Sequence, residues 1–496
     1  MSKLAKALTA AAGNAGGDNL YVEDVFSTYL YIGNSANQNI VNGIDLAGEG
    51  GMVWTKRRDN SQLHGLFDTE RGVLKYISSD STDAETTKSN TLKAFNSDGF
   101  QLGYQSYPTS NSNGEKGVSW TFRKAEKFFD IVTWTGNGDG SDRYYNHDLG
   151  SVPNCVIVKR TDASMDWGVY HSQLGTGGGS GLKLNTTDAI GSPNPIRTTP
   201  SSTQIHIRGS SGEYNENNAT YVAYLFASDA GGFGDDGSEN IIKCGSYTGN
   251  GSADGPTIDC GFEPQWLLIK NTSSGGNWVL MDAMRGMPVG DEATVLLPNA
   301  NGAESSYANL WGVDLQATGF KVNVSQIQIN ESGGTMVYIA IRRPMKTPES
   351  GTEVFDTILR TGTGSNATIT GMGFTPDLAI TKIRAIDYPQ WAARLTNNKY
   401  LKSSITDAET TGDLQSNAWD VQEGLKVYSG GFNSNGDSFA NWFFKRATGF
   451  FDVVAYTGDG QTTQTLNHNL GVTPDIIVVK KRSTSGSQWP IIITST

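Results

Sequence analysis

The sequence predicts an all-β fold, a tandem array of β-sandwich, jelly-roll-like domains behind a short N-terminal arm. Three observations predict it. A turn-and-strand pattern recurs five times along the 496 residues. The apolar runs are short and rich in β-branched residues, as strands are. No helical period of useful length follows residue 15, while 60 glycines supply tight turns.

The recurring pattern is a glycine turn followed by a strand that ends in lysine. Its glycines are Gly33, Gly136, Gly249, Gly362 and Gly458, spaced by 103, 113, 113 and 96 residues. Its lysines are Lys56, Lys159, Lys270, Lys382 and Lys480, which follow those glycines by 23, 23, 21, 20 and 22 residues. Near-constant spacing inside a variable period is the mark of tandem domains. An aromatic follows the lysine at Trp167, Trp278, Trp391 and Trp489, with His64 at the matching place in the first copy. Each of the first four copies then ends in an Asn/Gly turn and an aromatic-rich strand: "NSNGEKGVSWTFRKA", "NENNATYVAYLFASD", "NESGGTMVYIAIRRP" and "NSNGDSFANWFFKRA".

The copies are not equally alike. "TDAETT" occurs at 82–87 and again at 406–411, a separation of 324 residues, or three periods of 108. The order is therefore A, B, C, A′, B′. The boundaries are 1–25 for the arm, 26–127 for A, 128–230 for B, 240–344 for C, 354–449 for A′ and 450–496 for a partial B′. A runs into B, and A′ into B′, without a loose linker. "SDAGGFGDDGSEN" and "RRPMKTPESGTE" flank C and read as hinges.

Within a copy, "NCVIVKR", "DIIVVKK" and "QWLLIKN" are strands bounded by proline and lysine. "TYVAYLF" and "QIHIR" alternate, which predicts one buried face each. Asn137-Gly138, Asn250-Gly251 and Asp459-Gly460 are turn dipeptides.

Charge and composition narrow the function. Lys and Arg total 38 against 50 Asp and Glu, a net charge of −12 with no basic run, which disfavours a nucleic-acid partner. No run of eighteen apolar residues argues for membrane insertion. The N-terminal "MSKLAKALTAAAGNAGG" reads as a short helix closed by glycine, too polar for a signal peptide. Cys155, Cys244 and Cys260 have no Cys-x-x-Cys spacing, so they read as buried thiols of a chain assembled in a reducing cytoplasm.

A search for chemistry returns no catalytic, cofactor-binding or metal residue. Asp83 and Glu85 lie two positions apart in one loop, without the facing carboxylate that glycoside cleavage needs. His147 and His468 stand in equivalent turns where C has Asp259, which suits a turn-bonding group and not a base. His64, His171 and His206 belong to no His-x-x-x-His, Gly-x-Ser-x-Gly or P-loop pattern. "TGNGDG" before Ser141 and Asp142 has the composition of a calcium loop without the EF-hand register. The tryptophans suit packing better than a glycan platform.

"LYVEDVFSTYLYIGN", "NGIDLAGEGGMVWTKRR" and "WTFRKAEKFFDIVTWTGNG" closely resemble the start of large virion proteins of marine tailed bacteriophages. "GSYTGNG", "GFEPQWLLIKNTSSGGNWVLMD" and "GGTMVYIAI" are similar to repeats of phage tail fibre proteins. The resemblance covers nearly everything from about residue 20 onward. It implies a non-enzymatic virion structural protein, first of all a tail fibre or tail-associated appendage for host attachment, assembled in the host cytoplasm. A capsid-bound decoration or head-fibre protein is the alternative, and a glycan-cleaving appendage a weaker one. Implied partners are other copies of the chain (fibres are commonly trimers), other virion proteins through the arm, and a host surface glycan or protein. Similar chains continue beyond the place where this one reads "WPIIITST", so B′ is expected to be completed by another chain or to be only partly represented.

Overall fold

The computed structural model describes residues 19–209, 212–305, 311–385 and 388–494. It is all-β, built from antiparallel sheets that pair as sandwiches, and each helix among the described residues spans one short turn. The predicted N-terminal helix lies outside the described residues.

A larger sheet has the same strand order in every complete copy. In B, Phe129–Thr135 pairs with Thr220–Phe226, then come Cys155–Arg160, Gly168–His171 and Leu182–Lys183. C repeats this as Ile242–Thr248, Thr335–Arg342, Pro264–Asn271, Trp278–Asp282 and Val295–Leu296. A′ repeats it as Phe355–Thr361, Ser438–Phe444, Leu378–Ile383, Gln390–Ala393 and Tyr400–Lys402. In A the order is Phe26–Ile32, Lys116–Arg123, Gly51–Arg57 and Gly65–Asp68. A smaller sheet faces one side of each. In A it holds Gln38–Val41, Gly99–Leu102 and Leu92–Asn96, and Tyr31, Ile40, Val53, Phe67 and Phe100 fill the space between the layers.

The repeated glycines have a shared cause. A Cβ on Gly33, Gly136, Gly249 or Gly362 would lie 2.0–2.3 Å from a carbonyl oxygen of Ser112, Glu216, Glu331 or Ser434. The first asparagine of each Asn/Gly string, Asn111, Asn215, Asn330 and Asn433, is buried beside that glycine. Its Oδ1 accepts the backbone N–H of the residue after the glycine, at 3.2, 3.1, 2.8 and 3.1 Å. The turn dipeptides are only half as expected: Gly138, Gly251 and Gly460 take positive φ, but their Asn and Asp neighbours do not.

In A, B and C the other face of the larger sheet is buried as well. Met52, Trp54, Trp120 and Phe122 of A meet Cys155, Ile157, Tyr224 and Phe226 of B and Trp266, Leu268, Ile339 and Ile341 of C in one apolar cluster. Thr220–Phe226 is consequently buried from Tyr221 onward, on both faces, against the expectation of one. The alternation of small and large residues reflects two packing partners, not a solvent side.

This clustering also corrects the hinge expectation. C is locked to both A and B, and the stretch before it carries buried Phe233 and a hydrogen bond from Gly234 N–H to the Leu20 carbonyl, 2.9 Å. Residues 19–25 pack on the same body. Val22 and Val25 lie in the central cluster, and the Glu23 carboxylate accepts the N–H groups of Met345 and Lys346 at 2.7 and 2.9 Å. A′ packs on the same body, where Arg58 binds both Glu304, at 2.8 Å, and Asp420. Arg446 binds Glu263 at 2.8 Å, and Val289 N–H reaches the Leu395 carbonyl at 2.7 Å.

Candidate functional site

The feature that recurs with full geometry is a joint between copies. In each, the strand-ending lysine of one copy holds a loop of another. Lys159 donates from Nζ to the Thr82 carbonyl at 2.9 Å, Lys270 to Thr187 at 3.1 Å, Lys56 to Asn301 at 3.1 Å and Lys480 to Thr406 at 3.1 Å. The same four carbonyls accept a second bond, from the N–H of Met165, Gly276, Gln62 and Gly486, at 2.7–2.9 Å.

Three residues further along each loop, a backbone N–H returns the contact. Glu85 donates to the Thr161 carbonyl, Ile190 to Thr272, Glu304 to Arg58 and Glu409 to Arg482, at 2.7–3.0 Å. Four residues earlier, the loop carbonyl accepts a ring N–H. Trp167 Nε1 reaches Ser78 at 2.9 Å, Trp278 reaches Lys183 at 2.8 Å and Trp489 reaches Lys402 at 3.2 Å. His64 Nε2 lies 3.1 Å from the Leu297 carbonyl and holds the tryptophan's place.

The joints run from A's loop to B, from B's loop to C and from C's loop back to A, so the first three copies close a cycle. Inside the cycle a second set of contacts repeats in part. Tyr224 donates to Asp68 at 2.8 Å and Trp120 Nε1 to Asp282 at 3.0 Å. Each aspartate is held by an arginine three residues on, Arg71 or Arg285, at 2.6 Å. In B the equivalent residue is His171, whose Nε2 lies 3.2 Å from the Tyr338 carbonyl, because Ile339 stands where a donor would.

Burial sets the electrostatics. Lys56, Lys159 and Lys270 are fully buried, and desolvation lowers each to a pKa of about 8. Each still donates two hydrogen bonds to carbonyls, which a neutral amine also can. Burial pushes His64 well below the usual histidine range and His171 to about 4.

The remaining candidates fall outside any reactive cluster. Asp83 is exposed, whereas Glu85 turns away to Arg71 and Lys75, at 3.3 and 3.4 Å. His147 and His468 accept the N–H two residues on, as Asp259 does, which is the turn-bonding role. His206 stacks on Tyr144, ring centroids 4.0 Å apart. Asp139 binds Arg143, and Asp142 accepts Gly209 N–H and pairs with Arg197. All three cysteines are free and buried, which raises their pKa values, Cys260 to about 12. Among the described residues no three His, Cys, Asp or Glu side chains are placed to hold a metal ion, and no helix is long and apolar enough to cross a membrane.

The tryptophans need one correction. Trp167 and Trp278 are buried in joints and offer no platform. Trp489 matches them, but Trp391 does not: Thr381 pairs with Gln390, so Lys382 faces Pro389 and Trp391 lies opposite Ile380. It packs on Trp489 instead, centroids 5.4 Å apart. The joint loop of B escaped the sequence reading although a signal existed, since Thr187-Asp188-Ala189 repeats the Thr-Asp-Ala of 82–84 and 406–408.

No curated protein and no solved structure matches the chain. A protein family matches it twice, over residues 22–344 and 350–496, and the break falls between C and A′. The chain belongs to that family, described as "Domain of unknown function (DUF7483)".

Proposed function

We propose that this chain is a structural protein of a tailed-bacteriophage virion, a tail fibre or tail-associated appendage involved in host attachment. The observation that carries the reading is the joint. A chain in which four of the five repeated lysines, and three of the four repeated indoles, fix one copy against another is built for stiffness, which a load-transmitting appendage needs. The chain is non-enzymatic in this reading. Several copies in one particle would let weak contacts with a host glycan or protein sum to firm attachment.

The closed cycle of A, B and C favours a second reading, a capsid-bound decoration. Three similar units around one centre fit a threefold-related surface better than a row of beads does.

Gold-labelled antibody against the chain, applied to intact particles, tests both. Label on tails is expected. Label on capsids alone would overturn the first reading in favour of the second, and absence of label from particles would overturn both.

A further inference from the structure

Between C and A′ lies a cavity of about 300 Å³. Its C wall includes Arg285, Asp291 and Glu304, and its A′ wall Ser416, Asn417 and Asp420. The A′ wall is built on a stretch longer than its counterpart in A. Leu414 bridges to Val427 as Leu92 pairs with Leu102, and Leu425 pairs with Ile369 as Phe100 pairs with Ile40. Between those fixed points Gly424 follows Leu414 by ten positions, whereas Gly99 follows Leu92 by seven. The added length falls in the stretch that carries the A′ wall.

The walls are polar, but their charges are already matched. Arg58 pairs with Glu304 at 2.8 Å and with Asp420, Lys399 stands 3.7 Å from Asp291, and Arg285 binds Asp282 at 2.6 Å. Carboxylates on both walls repel an anion. With cations beside them they hold little attraction for a basic ligand, and among the described residues no three His, Cys, Asp or Glu side chains are placed to hold a metal ion. What those exclusions leave is a neutral ligand rich in hydroxyls, each of which both donates and accepts. The walls offer both functions: carboxylate oxygens accept, and the amide of Asn417 donates and accepts. Arg285 is only 3% exposed, and its Nη1 has no hydrogen-bond partner in the protein. A polar cavity beside an unused buried donor is one that a polar molecule fills.

We propose that this cavity binds a neutral saccharide, roughly one or two sugar rings in size. Its hydroxyls bond the carboxylates and amides of the two walls, and the longer stretch of A′ supplies contacts that A has no residues to make. One wall comes from each of the two family matches, so a bound sugar also ties C to A′. The proposal rests on the cavity and not on the virion reading. It supplies the glycan contact that host attachment calls for, and labelling of particles tests that reading separately.

The test uses the full chain and a panel of glucose, galactose, mannose and N-acetylglucosamine, with N-acetylneuraminic acid as the anionic control. Saturation-transfer NMR should show saturable binding of at least one neutral sugar, with a Kd of about 1–10 mM, and none of the acid. Hydrogen exchange at 416–420 should slow when that sugar is bound. Asn417→Ala should weaken binding at least about tenfold, and Ser416→Trp, which fills the cavity, should abolish it. Both side chains are exposed, so either variant should melt as the parent does. No binding of any neutral sugar at about 50 mM would overturn the proposal. So would undiminished binding by Ser416→Trp, which would place the sugar elsewhere, or a preference for the acid, which would refute the neutral ligand.

Discussion

Lys159 of one unit donates its buried ammonium group to the backbone carbonyl of Thr82 in the unit before it, 2.9 Å away. The carbonyl belongs to the residue that opens "TDAETT", so that hexapeptide is a docking loop. Lys159 also holds the Met165 carbonyl at 2.7 Å. Lys159→Ala leaves two carbonyls short of a donor and opens a cavity, an expected loss of about 2–4 kcal/mol. Lys159→Met keeps the volume and removes the desolvated charge, so its cost should be nearer 1 kcal/mol. Urea unfolding followed by tryptophan fluorescence measures both, and faster hydrogen exchange at Glu85 N–H would localise the damage to the A–B joint.

Stability should rise between pH 8 and 9. Unfolded, these lysines keep their proton to the ordinary lysine value of 10.5, whereas folded Lys56, Lys159 and Lys270 release it at about 8. Between those values the unfolded chain binds more protons, so the lysines' contribution is complete above 10.5 and is lost as pH falls through 8. Cys155, Cys244 and Cys260, raised from 9.0 by burial, oppose the trend above pH 9, and buried tyrosines such as Tyr31 and Tyr224, held above 10, add to that opposition at higher pH. Urea midpoints at pH 7.5, 8.2 and 9 should increase in that order, and replacing the three lysines with Met should flatten the series.

Acid should loosen the B–C contact before the A–B contact. His171 is held neutral by burial, with its pKa lowered from 6.5 to about 4. Its contribution is complete above pH 6.5 and is lost as pH falls through 4, because the unfolded histidine takes up a proton first. His64 acts in the same direction at the C–A joint. His171→Gln should reduce the midpoint difference between pH 7 and pH 5, read by hydrogen exchange at 335–342.

The two carboxylates of the docking loop should behave differently. Asp83 is exposed, and Asp83→Asn should change stability by less than about 0.5 kcal/mol. Glu85→Gln weakens contacts to Arg71 and Lys75, and about 1 kcal/mol is expected. Neither change should alter the amount of oligosaccharide released from host envelope; a fall with either would revive a glycan-cleaving role.

Much of this was legible residue by residue. The glycine-to-lysine spacing marked the strands that end in lysine, and Trp167, Trp278 and Trp489, expected to share one place after the lysine, make the same bond to a loop carbonyl. His64 was matched to them by position alone, and its ring nitrogen makes the same bond. Trp391 failed because the loop after Lys382 shifts the register. The glycine-rich stretch before C failed as a hinge because composition does not reveal Phe233 turning inward.

By itself the sequence determined that the chain is all-β, repeated with a period near 108 residues, and that A′ is a copy of A. Those properties are written in local chemistry: alternation, turn glycines and strings that recur. Only the tertiary structure decided that A, B and C close a cycle, that both faces of their larger sheets are buried, and that "DAETT" is half of a joint. Those properties depend on which backbone carbonyl meets which lysine across a unit boundary. The Thr-Asp-Ala string marks three of the four loop carbonyls, but it does not name the lysine that each one meets.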